Sequence, residues 1–182
     1  MTNKTPSIAI LGAGIGGLAV SACLRKAGIE TTIYEQAPAF ARIGSGIQMS
    51  PNAMRVLYGI GIGDQIRATA FEPPHWRNRD HDTGALTNDH PLGPAAYDRY
   101  GVPYLLMHRG DLHAKLHGAV PDETIRYGHK VAGVEQTDSS VTLRFENGET
   151  VTADALIASD GVHSIARESL LGVEDARFTG RL

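Results

Sequence analysis

Short unbroken apolar runs alternate along this chain with glycine turns and with stretches of helical period. Ser7-Ile8-Ala9-Ile10-Leu11 has the pattern of a strand buried on both faces, and glycine closes it. Gly12-Ala13-Gly14-Ile15-Gly16-Gly17 reads as a tight turn, Leu18 to Ala27 as a helix ended by Gly28, and Thr31 to Tyr34 as a second strand closed by Glu35. The expected unit is strand, turn, helix, strand, with parallel strands and a right-handed crossover.

Pro38 stops the chain from extending the second strand. A glycine-rich loop follows at Arg42-Ile43-Gly44-Ser45-Gly46-Ile47-Gln48, then helices over Pro51 to Tyr58 and Gly63 to Thr69. From Phe71 to Tyr104 the texture turns polar and breaker-rich, with Asp82-Thr83-Gly84 as a hairpin turn. This stretch is expected to belong to a separate strand-rich lobe. Beyond it the pattern predicts a strand over Tyr104 to His108 and a helix over Asp111 to Ala119. Strands follow at Val131–Glu135, Val141–Phe145 and Glu149–Ala153, with Asn147-Gly148 as the hairpin turn between the last two. Ala155 to Ala158 reads as another buried strand. It runs into Ser159-Asp160-Gly161 and a helix over Ser164 to Leu171.

Composition narrows the class. Seventeen basic and 20 acidic residues in 182 give a net charge of −3 with no basic block, so a nucleic-acid partner is not expected. No signal peptide is read at the polar start, and no apolar run is long enough to span a membrane. The single cysteine, Cys23, sits in an apolar helical stretch and is expected to be a buried small hydrophobe. One cysteine forms no internal disulfide, which fits a cytoplasmic location.

Gly12-x-Gly14-x-x-Gly17 after a strand and at the opening of a helix is a dinucleotide fingerprint in its proper context. Gly12 permits the turn, Gly14 lets a pyrophosphate approach the backbone, and Gly17 lets helix and strand pack closely. The helix N-terminus supplies N–H groups and a partial positive charge. Glu35 suits ribose hydroxyls and repels a 2′-phosphate, which leaves FAD and NAD open at this site. At Asp160-Gly161 a strand ends where ligands bind in open α/β sheets. Asp160 or Ser164 also reads as a helix cap.

The Gly12 loop, the stretch Arg42–Asn52, His108-Arg109-Gly110-Asp111-Leu112 and Asp160-Gly161 together resemble the aromatic-ring flavin monooxygenases, the family of the para-hydroxybenzoate hydroxylase fold that includes salicylate hydroxylases. Order and spacing match along nearly the whole chain. Tyr34 to Phe40, Trp76 to Gly84, Pro91-Leu92-Gly93 and His108 to His113 carry a closer likeness to the hydroxynicotinate-hydroxylating members. The fold class implied is α/β, a Rossmann-like FAD-binding domain at 1–70 and 105–182 with part of a strand-rich substrate lobe at 71–104.

By this resemblance, Gly12, Gly14, Gly16 and Gly17 cradle the FAD pyrophosphate, and Glu35 with Gln36 holds the adenosine ribose. Val131 meets the adenine through its backbone, and Arg109 reaches the FAD. Asp160 serves both FAD and NAD(P)H use, and Arg42 lies near the flavin and the reductant path. Gln48 takes the position beside the flavin ring where the hydroxynicotinate enzymes carry a histidine base. Glutamine takes up no proton near neutral pH, so either the base lies elsewhere or the substrate differs. The implied reaction uses NAD(P)H and O2 to hydroxylate a small aromatic ring or pyridine carboxylate. A non-catalytic dinucleotide-binding remnant and an NAD-dependent dehydrogenase are the rival readings.

No metal site is expected, because His113 and His117 lack the glutamate that a zincin helix needs. His75, His81 and His90 are read as solvated or substrate-facing. Trp76, Tyr97, Tyr100 and Tyr104 are read as packing residues or the walls of an aromatic pocket. Family chains run to roughly twice this length and carry a later Gly-Asp motif. The chain is therefore expected to be an N-terminal portion that retains flavin poorly and associates into homo-oligomers through uncovered edges.

Overall fold

The structure, a computed structural model, describes residues 5–41, 44–173 and 178–180. In chain order the elements are β1 (Ile8–Leu11), α1 (Ile15–Lys26), β2 (Thr31–Tyr34), β3 (Gly46–Met49), α2 (Pro51–Ile60), α3 (Gly63–Arg67), β4 (His75–Arg79), β5 (Leu86–Pro91) and α4 (Pro94–Tyr100). They continue with β6 (Leu105–His108), α5 (Arg109–His117), a 3-10 turn (Asp122–Thr124), β7 (Ile125–Arg126), β8 (Val131–Gln136), β9 (Val141–Phe145), β10 (Thr150–Ala153), β11 (Ala155–Ala158) and α6 (Ile165–Leu171). They form two compact units, one drawn from Met1–Phe40 with Pro121–Leu182 and the other from Ala41–Val120. The polar 71–104 stretch lies inside the second.

In the first unit a parallel sheet runs β11-β1-β2-β7, with Ile10 opposite Ile33 and Ile157. Both faces are covered, which is why these strands read as continuous apolar runs. One face carries α1, tied to β2 by the buried Ser21–Thr31 hydroxyl pair at 2.7 Å. The other face carries the antiparallel β10-β9-β8 sheet, where Ala9 and Leu11 pack with Val141, Leu143 and Phe145. Parallel β1–β2 pairing and the Asn147-Gly148 hairpin follow the sequence expectation, and Gly148 takes φ +87°. At the sheet edge β11 pairs on one side only among the described residues, and Leu170 and Leu171, which share a cavity lining with Ala155 and Leu156, are 72% and 71% exposed.

Cys23 corrects the sequence reading, for it is exposed. Gly17, Leu18, Ser21 and Ala22 form the stripe of α1 that meets the sheet, and Cys23 falls about 100° beyond Ala22 on the helix.

The second unit holds the antiparallel pair β3–β6 and the hairpin β4–β5 among its helices. Residues 46–49, read as loop, are a strand because β6 supplies the hydrogen-bonding partner. Residues 94–100, read as strand-rich, are helix α4, with Pro94 in its first turn and Gly101 at φ +73° after its end. Asp80 anchors the hairpin turn by accepting from Thr83 N and Asp82 N at 2.9 and 3.1 Å. These contacts, that from Thr83 first, hold its carboxyl below the usual range.

Ser21→Ala leaves the Thr31 hydroxyl buried without its partner and is expected to cost about 1–3 kcal/mol. In urea unfolding the double variant Ser21→Ala/Thr31→Val should be more stable than the sum of the single losses. Additive losses would mean that the pair is not coupled.

Candidate functional site

Three residues reverse the chain from β1 into α1, and glycine answers a different demand at each key place. Gly12 sits at φ +91°, and a Cβ there would lie 2.5 Å from the Ser159 carbonyl oxygen. At Gly17 a Cβ would overlap the Gly12 carbonyl oxygen. Gly14, by contrast, has ordinary φ of −73°, and a Cβ there would meet nothing within 4 Å. The first two glycines let protein pack on protein, while the third leaves open space. Gly16 makes only an ordinary approach, 3.7 Å, to Ser159 Oγ.

Gly14 is the N-cap of α1, which has no side-chain cap and no acidic residue in its first turn. No side chain of the helix itself therefore compensates the positive end of its dipole. Glu35 follows β2 directly and accepts with both carboxylate oxygens, one from the glycine loop and one from its own segment. Ala13 N donates to Oε2 at 2.7 Å and Ala37 N to Oε1 at 2.8 Å. A carboxylate accepts about four hydrogen bonds, so capacity remains for two hydroxyls.

Gly12, Gly14, Glu35, Gln36, Val131 and Asp160 line one cavity of about 660 Å³ in the first unit. Gly16 and Gly17, in the first turn of α1, are not among its lining residues. Both capping readings at Asp160 and Ser164 hold together: Ala166 N donates to Asp160 Oδ2 at 3.2 Å and Arg167 N to Ser164 Oγ at 2.9 Å. The N-terminus of α6 is thus satisfied by side chains, unlike that of α1.

Sequence reasoning missed His129 and Lys130, which also line the cavity. His129 meets the rings of Tyr34 and Phe145 edge-on, at 5.5 and 5.0 Å between centroids. Its ring nitrogens face the Tyr127 carbonyl oxygen and the Glu149 carboxylate at 2.8 and 2.7 Å. Burial first of all pushes the Tyr34 phenol upward; the Arg126 cation opposes this and the Glu149 charge adds to it. Lys130 pairs with Glu146 at 2.8 Å. The cue in the sequence was the entry into β8, noted only for Val131.

Gln48 and Arg109 belong to the second unit. Gln48 pairs with Leu106 in the β3–β6 ladder, and its Oε1 accepts from Tyr104 OH at 2.7 Å. Arg109 opens α5, with its N–H donating to the Ser45 carbonyl at 2.7 Å, and Gly44 packs close against its side chain. Arg42 lies outside the described residues.

The uncapped turn, the acid beside it and the cavity fit a dinucleotide diphosphate and its ribose. Comparison with known proteins names which one. A model of the FAD binding domain family matches residues 4–179. The chain is 41% identical over 175 residues to 6-hydroxynicotinate 3-monooxygenase of Bordetella bronchiseptica, covering 96% of this chain and 46% of that protein. It is 42% identical over 180 residues to the Pseudomonas fluorescens 6-hydroxynicotinate 3-monooxygenase, covering 99% and 47%. The chain thus spans about half the length of the curated relatives it matches. Klebsiella pneumoniae HpxO, in its crystal structure with FAD and uric acid, superposes with a TM-score of 0.79 at 26% identity, over 90% of this chain and 41% of that one. The match along nearly every residue, on a fold whose glycine turn fits the cofactor, establishes that the chain belongs to the FAD binding domain family.

Proposed function

We propose that the first unit seats FAD for hydroxylation of a small aromatic or pyridine ring with NAD(P)H and O2. The observation that carries this reading is the open space at Gly14 in front of an uncapped helix, with Glu35 turned onto the same loop. Gly12, Gly14, Gly16 and Gly17 shape the backbone that receives the pyrophosphate, and first-turn N–H groups donate to it. Glu35 accepts from the ribose hydroxyls, with Gln36 beside it. Val131 offers backbone to the adenine, and Asp160 closes the strand end. By the family resemblance, Arg109 reaches the cofactor and Arg42 belongs near the flavin and the reductant path. Gln48 serves as a hydrogen-bonding residue, with its amide oriented by Tyr104.

When bound, FAD supplies the two-electron chemistry that takes hydride from NAD(P)H and passes one oxygen atom of O2 to an electron-rich ring, the other leaving as water. The names of the relatives support a hydroxylated aromatic or pyridine substrate. The unpaired edge of β11 and the exposed Leu170 and Leu171 favour self-association.

Flavin fluorescence should be quenched as the chain is titrated into FAD, with weak retention on dilution. Gly14→Val points a side chain into open space. It should keep the unfolding midpoint and weaken FAD binding at least tenfold. Gly17→Ala should lower the midpoint sharply. If Gly14→Val binds FAD like the parent, the turn is not the seat. NADH oxidation stimulated by 6-hydroxynicotinate or a related aryl acid supports the hydroxylase reading. FAD binding without such stimulation reduces the chain to cofactor binding. Light scattering should give a mass above the monomer's 19.4 kDa, and a strictly monomeric chain would count against the edge as an association surface.

A further inference from the structure

The second unit contains a cavity of its own, of about 770 Å³, between the start of α2, the β4–β5 hairpin and α4. That volume falls in the range of small-molecule sites, roughly 300–1,000 Å³. Arg55, Arg99 and His90 line it, and no carboxylate does. Aromatic and aliphatic walls face them, Trp76, Tyr100 and Tyr104 with Leu92, Ala95 and Ala96, and Ser50 and Asn52 add neutral polar groups at the start of α2.

The side chains are held in place. Arg55 donates one Nη2 hydrogen bond to the Tyr100 carbonyl oxygen at 2.7 Å, and most of its five N–H donors stay uncommitted by that contact. The Arg99 guanidinium lies 5.3 Å from the centre of the Tyr100 ring. Trp76 and Tyr104 meet edge to face at 6.3 Å and 71°. The indole N–H of Trp76 is spent on Asn78 Oδ1 at 2.9 Å, and the Tyr104 hydroxyl on Gln48. Burial pushes the Tyr104 phenol up, so it remains neutral.

We propose that this cavity is a seat for a planar aromatic carboxylate, with Arg55 and Arg99 gripping the carboxylate and Trp76 and Tyr104 walling the ring. Guanidinium forks match carboxylates bidentately, and flat rings pack on aromatic walls. The absence of any acid from the lining disfavours a cationic ligand, and the apolar wall at Leu92, Ala95 and Ala96 disfavours a bare phosphate. The proposal rests on the ring-hydroxylation reading for its biological meaning, and it assigns residues which that reading does not.

Trp76 is the only tryptophan, so its emission reports on this cavity alone. Nicotinate and benzoate, titrated into the 182-residue chain, should quench it saturably, with nicotinamide and benzamide at least tenfold weaker. Arg99→Gln and Arg55→Gln, both at exposed positions, should each weaken nicotinate binding about tenfold, and Arg99→Lys should weaken it less than Arg99→Gln. Circular dichroism and the FAD titration should be unchanged. The proposal fails if acid and amide bind alike, if Arg99→Gln binds nicotinate like the parent, or if no acid quenches Trp76. An FAD titration that succeeds while the aryl acids fail overturns this proposal and leaves the flavin reading standing. Aryl-acid binding that responds to Arg99→Gln in a chain that does not bind FAD supports this proposal and overturns the flavin reading.

Discussion

The first unit depends on one crowded spot, where the backbones at Gly12, Gly17 and Ser159 approach more closely than any side chain allows. That crowding draws together the carboxyl ends of β1 and β11 and the beginning of α1. The N-cap is Gly14, which has no side chain to cap with, so α1 starts without a side-chain cap and the space beside it stays open. The unsatisfied N–H groups then face a cavity at the strand ends, where open α/β sheets bind their ligands. Tight packing of protein on protein and open access for an anion are thus one arrangement seen from two sides.

Among the described residues of the first unit, side-chain charge adds little to that seat. Lys130 is paired with Glu146, Asp160 is turned onto the start of α6, and Glu35 is held by two backbone N–H groups. Attraction for a diphosphate falls to the helix dipole and the loop backbone, which have fixed positions and need no reorganisation. Glu35 has a double part. By bonding Ala13 it holds the loop, and under the proposed reading its remaining lone pairs would select hydroxyls over a further phosphate.

Such a site is legible in sequence because its demands are local. A strand, a glycine spacing, a helix and an acid follow one another within about thirty residues. The hairpin at Asn147-Gly148 was legible for the same reason. What the sequence hid was set by partners far along the chain. Strand β3 looks like a glycine loop until β6, from Leu105 onward, supplies its ladder. The stretch Ala19 to Leu24 is apolar but for Ser21, and its pattern marks no inner face, so the sheet decides that the polar Ser21 is buried and Cys23 exposed. Helix α4 had a local signature, proline at its start and glycine after its end. It was obscured by the polar, breaker-rich composition around it.

Under the two proposals the cavities would hold an anion by opposite means, and the difference follows from what each would bind. A diphosphate spreads its charge over many oxygens along a chain, which suits a row of backbone N–H groups and requires that side chains be absent, hence glycine. A single carboxylate on a flat ring presents two oxygens in one plane. It suits a guanidinium fork and an apolar slot, and these need particular side chains. Arg55, Trp76, Arg99 and Tyr104 come from four different elements or their flanks, so no short motif announces them. Backbone recognition leaves a trace in spacing, whereas side-chain recognition assembled across a hairpin and two helices becomes visible only once the chain is folded.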